Sequence, residues 1–206
     1  MPELFNILIL VEDSSKLPTR QSLINSLLVS SSQWPTRLGE IMLLDFDSGK
    51  DEHSFWETSS NFLEQKLSSD QAMFVYSASS VNSMEIISSI SFTEANNQST
   101  ICIAVRANQI ALVSADTIQE WLTRLYKSVS SIVKCAVAAG SELEIESTGK
   151  TMAESAELLV SPFTNAFWVI LPNDLLPESL GNIRVTTVFD TSSILCREFL
   201  PSWFHA

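Results

Sequence analysis

Residues 114–140, SADTIQEWLTRLYKSVSSIVKCAVAAG, constrain the fold more than any other stretch, because they carry the longest unbroken helical period in the chain. Apolar side chains recur at Ile118, Trp121, Leu122, Leu125, Val129, Ile132, Val133 and Ala136, the three-and-four spacing that lines one face of an α-helix. The opposite face carries Gln119, Glu120, Thr123, Arg124, Lys127, Ser130, Ser131 and Lys134, with Glu120 placed four residues before Arg124 as a helical ion pair requires. Ser114 or Asp116 can cap the first turn, Gln119 stands three after Asp116 as in a capping box, and Gly140 offers a left-handed stop. The pattern predicts one long amphipathic helix near 116–139, about 35 Å long, backing a sheet.

Strand-length apolar runs supply that sheet. Residues 4–11, with Ile7, Ile9 and Val11, read as a strand buried on both faces. A helix is expected after Pro18 through Leu23, Ile24, Leu27 and Leu28, then a strand over 41–46, and a second amphipathic helix marked by Phe55, Trp56, Phe62, Leu63 and Leu67. Strands are expected at 73–76, 86–92, 100–105 and 110–113, with turns at 96–98 and 107–109 where Asn tolerates left-handed geometry, both suggesting antiparallel hairpins. Glu142, Glu144 and Glu146 alternate with Leu143 and Ile145 as in an exposed strand. A short helix at 152–160, a buried strand at 166–171, a last strand at 183–189 and a docking apolar tail at 200–204 complete the order. The chain is expected to form a single α+β domain over residues 1–206, a mixed, largely antiparallel sheet backed by helices.

Composition limits the function. Twenty-four acidic against 12 basic residues give a formal net charge of −12, which argues against a nucleic-acid binder, since such proteins neutralise phosphates with Lys and Arg. No basic residue occurs between Lys66 and Arg106, so no cationic stripe runs there, and a basic protein is the partner this charge favours. The most apolar runs, 4–11 and 167–171, fall far short of the roughly 20 residues of a spanning helix. Glu3 stands where a secretory signal would be basic, so a cytoplasmic, uncleaved chain is expected. Cys102, Cys135 and Cys196 sit in apolar surroundings, which suits buried reduced thiols.

Few residues offer chemistry. The run from Ile41 to Ser48 ends a hydrophobic strand in Asp45 and Asp47, a spacing that can hold Mg²⁺ while one carboxylate attacks a phosphoryl group. It resembles the first motif of haloacid-dehalogenase-type phosphatases, with Gly49 where those enzymes usually carry Thr. The stretch Ile7 to Ser14, with Glu12 and Asp13, is similar to the opening of a response-regulator receiver domain, for which Asp45 or Asp47 would be the phosphoacceptor. Neither a later acidic pair nor a Lys-Pro dipeptide completes either site. There is no Gly-x-Ser-x-Gly elbow and no Gly-rich phosphate loop, and His53 and His205 are the only imidazoles. No catalytic residue, metal site or cofactor is therefore assigned.

Charge pattern remains. Glu40, Asp45, Asp47, Asp51, Glu52 and Glu57 face only Lys50, and Glu142, Glu144, Glu146, Glu154 and Glu157 face only Lys150. Such zones either are solvated surface or steer a basic protein inward, with aromatics such as Trp34 and Trp56 as anchors. In charge and architecture the chain resembles immunity proteins of bacterial polymorphic and contact-delivered toxin systems, which bind and block a toxin domain, often a basic nuclease. The resemblance implies a non-enzymatic toxin inhibitor with Asp45, Asp47, Asp51, Glu52, Glu142, Glu144 and Glu146 at the interface. The competing expectations are a Mg²⁺-dependent phosphotransfer enzyme using Asp45 and Asp47, and a structural assembly subunit.

Overall fold

The computed structural model of the chain describes residues 4–12, 38–43, 54–56, 73–81, 84–95, 98–143, 151–161, 163–178, 180, 183–188 and 191–197. Ten strands form one sheet: β1 (Leu4–Glu12), β2 (Leu38–Leu43), β3 (Ser54–Trp56), β4 (Met73–Val81), β5 (Met84–Ala95), β6 (Gln98–Arg106), β7 (Cys135–Ser141), β8 (Ala166–Pro172), β9 (Ile183–Val188) and β10 (Ser192–Arg197). Their order is β3-β2-β4-β5-β6-β1-β7-β8-β10-β9. Every described pairing is antiparallel. With helices α1 (Ala107–Ile110), α2 (Ala115–Ser130) and α3 (Met152–Val160), this is the expected α+β class. The antiparallel neighbours of β1 on both sides exclude the parallel, doubly wound sheet of a receiver domain.

β1 lies inside the sheet, which is why its sequence is apolar at every interior position but Asn6, whose buried amide donates to Leu143 O at 3.1 Å. Phe5, Ile7, Ile9 and Val11 pack beneath α2 together with Ile101, Ile103, Val105, Val137, Trp168 and Ile170. Leu8 and Leu10 turn the other way, joining Ala136, Ala138, Val169, Leu171 and Leu195 beneath Met152, Ala156, Leu159 and Val160 of α3. A strand covered on both faces admits few polar side chains, and alternation gives way to a nearly continuous apolar run.

The long helix is shorter than its periodicity predicts. Ser114 caps α2 as expected, accepting the Thr117 N–H at 3.3 Å, and Ile118, Trp121, Leu122, Leu125 and Val129 are buried along its length. It ends at Ser130, about 24 Å from its start. There the hydroxyls compete for backbone carbonyls, Ser131 Oγ donating to Ser128 O at 2.7 Å and Ser130 Oγ to Lys127 O at 3.4 Å. Ile132 is consequently exposed, and residues 135–141 run as β7 between β1 and β8. Cys135, Val137 and Ala139 face α2, while Ala136 and Ala138 face α3. Small side chains suit a strand wedged under helices on both faces, and this tertiary demand outweighs the helical propensity of alanine.

Other expectations shift for similar reasons. Residues 110–113 do not make a strand: after β6 the chain takes one helical turn, burying Ala107, Ile110 and Val113 and leaving Leu112 outward, so 107–109 is no hairpin. Phe55 and Trp56 lie in β3 rather than opening a helix; Phe62, Leu63 and Leu67 lie outside the described residues. Of the strand expected over 142–146, only Glu142 and Leu143 are described: they follow the end of β7, Glu142 adopting φ 47° while its N–H closes the ladder on Leu4 O at 3.1 Å, and 144–146 lie outside the described residues. A further strand, β10, follows the one expected to be last. The Asn96-Asn97 hairpin stands, with Ala95 opposite Gln98. The helix expected after Pro18 and the tail at 200–204 lie outside the described residues.

The registers give the sheet two ends. At one, Leu4 pairs with Arg106 and Phe5 with Ser141; at the other, Glu12 pairs with Gln98 and Val11 with Cys135. Since each strand reverses its neighbour, Leu43 and Ser54 belong to the Glu12 end, as do Pro172 and Ser192, while Ala166, Ile183 and Arg197 belong to the Leu4 end.

Candidate functional site

A cleft of about 440 Å³ opens at the Glu12 end of the sheet, lined by Tyr126, Lys127, Ser130, Lys134, Cys135, Pro172, Asp174, Thr191 and Ser192. Three pieces of local structure build it. The last turn of α2 presents Tyr126 and Lys127, and the descent into β7 brings Lys134 and Cys135. Pro172 ends β8 and a 3-10 turn (Asn173–Leu175) places Asp174, held by the Asn173 N–H on Thr191 O at 2.8 Å. Across the floor the Tyr126 hydroxyl and Ser192 Oγ are 2.6 Å apart and both buried. Along the rim Lys134 Nζ donates to Asp174 Oδ2 at 2.7 Å.

The electrostatics follow from these contacts. Burial pushes the Tyr126 phenol above its ordinary value, opposed by the hydrogen bond with Ser192. The hydrogen bond to Asp174 raises Lys134, keeping it a cation, and burial drives the Cys135 thiol up to about 12. None of these three pKa values is drawn toward pH 7, and a thiol so raised is a poor nucleophile. The cleft therefore offers hydroxyl groups and a paired charge for binding rather than a poised acid or base. Lys127 also stands in the last turn of α2, where the helix dipole favours a cation.

The predicted contact acids divide. Asp45, Asp47, Asp51, Glu52, Glu144 and Glu146 lie outside the described residues, and Glu142 is exposed at the end of β7. The strands that flank the first group place its chain: residues 44–53 leave from Leu43 and return at Ser54, the outermost pair of the sheet, at the Glu12 end. Glu142 sits at the Leu4 end, five strand spacings along the sheet, on the order of 24 Å. The two acidic zones thus leave the sheet at opposite strand ends, and only the first shares an end with the cleft. Around β2 the pairing is antiparallel, unlike the parallel α/β sheets whose carboxyl ends carry phosphate sites.

Sequence reading missed the cleft because its polar pair joins residues 66 apart, Tyr126 on a helix and Ser192 at the start of a strand not expected. Among the described residues no three His, Cys, Asp or Glu side chains converge to hold a metal ion, and no helix is long and apolar enough to cross a membrane. None of the three cysteines forms a disulfide, Cys135 being buried and Cys102 and Cys196 partly so. Compared with protein-family models, curated proteins and solved structures, the chain matches none.

Proposed function

We propose that this chain is a non-enzymatic acidic binding protein that neutralises a cognate bacterial toxin, such as a basic nuclease domain, by direct contact. The observation that carries the reading is the twofold excess of acid, 24 residues against 12, with one dense stretch joined to the terminal strand pair β2–β3. The charge of Asp45, Asp47, Asp51 and Glu52 would speed encounter with a cationic surface at physiological salt. Glu142, Glu144 and Glu146 form a second contact zone in this proposal.

The test has two stages. A tagged chain retained from its host at low salt and eluted at high salt should yield one stoichiometric basic protein. That protein, expressed alone, should arrest growth, and co-expression of this chain should restore it. With the purified pair, the double substitution Asp47→Lys and Asp51→Lys should lower the association rate by about tenfold or more at low salt. An unchanged rate would remove that face from the interface, and a partner with no effect on growth would remove the toxin. Mg²⁺-dependent hydrolysis of a phosphate ester, abolished by Asp45→Asn, would favour phosphotransfer instead.

A further inference from the structure

The hydrogen bonds of the cleft at the Glu12 end do not close on themselves. Tyr126 and Ser192 are 5% and 3% exposed, and their hydroxyl oxygens lie 2.6 Å apart on the cleft floor. Each hydroxyl carries one proton, and the bond between them uses one of the two, whichever group donates. No other hydrogen bond reaches either oxygen among the described residues. One buried O–H is therefore left to donate, and a buried donor without an acceptor costs more than an ordinary hydrogen bond returns. The floor asks for an acceptor.

The rim asks for the same. Lys127 and Lys134, two of the 12 basic residues in the chain, line the cleft, and an ammonium group donates without accepting. Among the described lining residues Asp174 is the one carboxylate, and its Oδ2 takes a single proton of Lys134 at 2.7 Å. Two cations against one anion leave the lining a single unit positive in a chain of net charge −12. Glu12, whose N–H donates to Lys134 O at 3.1 Å, is exposed near the rim without lining it. α2 also ends at this rim, and the negative end of its dipole weighs against a second negative charge on whatever enters. At about 440 Å³ the cleft has the size of a small-molecule site.

We propose that this cleft binds a small monocarboxylic acid bearing a hydroxy or oxo group: Lys127 and Lys134 meet the carboxylate, and the second oxygen accepts the remaining proton of the Tyr126–Ser192 pair. One negative charge matches the one net positive charge of the lining. A phosphate monoester, carrying a charge of about −1.5 to −2 at pH 7, exceeds it. The site does not depend on the chain's binding a toxin, since none of its residues belongs to either acidic zone.

The experiment titrates pyruvate, lactate and gluconate into the full chain by isothermal titration calorimetry, beside methyl pyruvate and inorganic phosphate. At least one of the three acids should bind with a Kd of about 1 mM or tighter, and methyl pyruvate should not. Lys127→Gln, at an exposed position, should weaken that acid about tenfold. Tyr126→Phe combined with Ser192→Ala removes the floor proton and strands no partner, so it should also weaken binding about tenfold, with Ser192→Ala alone costing less because the Tyr126 proton remains. Thermal melts of each variant check that it is folded. A Kd weaker than about 10 mM for all three acids would overturn the site. Equal binding of methyl pyruvate would overturn the carboxylate contact, and tighter binding of phosphate would overturn the ligand class. Affinity unchanged within about twofold in folded Lys127→Gln or in the folded double variant would overturn the contact which that variant removes.

Discussion

Gly140→Ala tests the junction on which the Leu4 end depends. Between Ala139 and Gly140 the register with β8 shifts, Ala139 opposing Trp168 and Gly140 opposing Ala166, so Phe167 is an extra residue and both aromatic rings reach Phe5 on one face. The bulge brings β8 hard against β7. A Cβ at position 140 would lie 1.9 Å from Asn165 O, 2.7 Å from its carbonyl carbon and 2.8 Å from Ala166 Cα. All three are backbone atoms, so no rotamer relieves the clash. Reaching ordinary contact needs a retreat of about 1.5 Å, which breaks the Ser141 N–H bond to Asn165 O and strains the Arg197 contact with Ala166 O. Overpacking of this kind costs about 1–3 kcal/mol and a lost backbone hydrogen bond about 1 kcal/mol. The expected loss is therefore about 2–4 kcal/mol. Urea denaturation followed by tryptophan fluorescence measures it, with Trp168 buried at the bulge as reporter. A loss below about 0.5 kcal/mol, the range of an inert surface change, would refute the close approach and the bulge with it.

Three further outcomes are expected. The Cys135 thiol, raised from 9.0 to about 12 when folded, contributes stability that is complete below the unfolded value and lost as pH climbs toward the folded one. Unfolding free energy should thus fall by about 1.4 kcal/mol per pH unit above roughly pH 9, and Cys135→Ala should flatten that decline in urea titrations at stepped pH; parallel slopes would refute it. Tyr126→Phe strands the buried Ser192 hydroxyl and should cost about 1–2 kcal/mol in thermal or urea melts, while adding Ser192→Ala should recover much of the loss, because removing both partners leaves no unsatisfied group. Thr151 accepts the Glu154 N–H at 3.2 Å and Glu154 accepts the Thr151 N–H at 2.6 Å, so Thr151→Ala removes a capping box and should lower stability by about 1 kcal/mol.

What could be read from the chain divides by how local the cause is. β1, the start of α2 and all of α3 were legible because burial on two faces, or on one helical stripe, writes itself into consecutive residues. The end of α2 was not. Ile132, Val133 and Ala136 continue the stripe by spacing alone, and nothing near them in sequence states that β1 and β8 need a narrow strand between them. Leu112 misled in the same way: the run from Ile110 to Val113 is apolar throughout, and only the packing of Ala107 and Ile110 shows a helical turn. β10 was hidden because Ser192 and Ser193 are polar by type, yet both are buried, one bonded to Tyr126 and the other to Asn173. Long-range partners decided these assignments.

The same distinction separates charge from exposure. Charge is legible without structure because its field acts over roughly a Debye length whatever the fold, so acidic zones could be named from composition. Their relation could not: alternation of strand direction puts Leu43 and Ser54, which flank the first zone, and Glu142 at opposite ends of the sheet, a fact carried by six pairings and by no residue in either zone. Phe163 is less legible still. In sequence it follows Val160, Ser161 and Pro162 and precedes Phe167 and Trp168, one aromatic among several, and its neighbours in type are buried core. Hydrogen bonds from Thr164 within its turn and from Arg197 on a different strand accompany a ring that faces outward. Exposure is a property of the folded turn and not of the residue type.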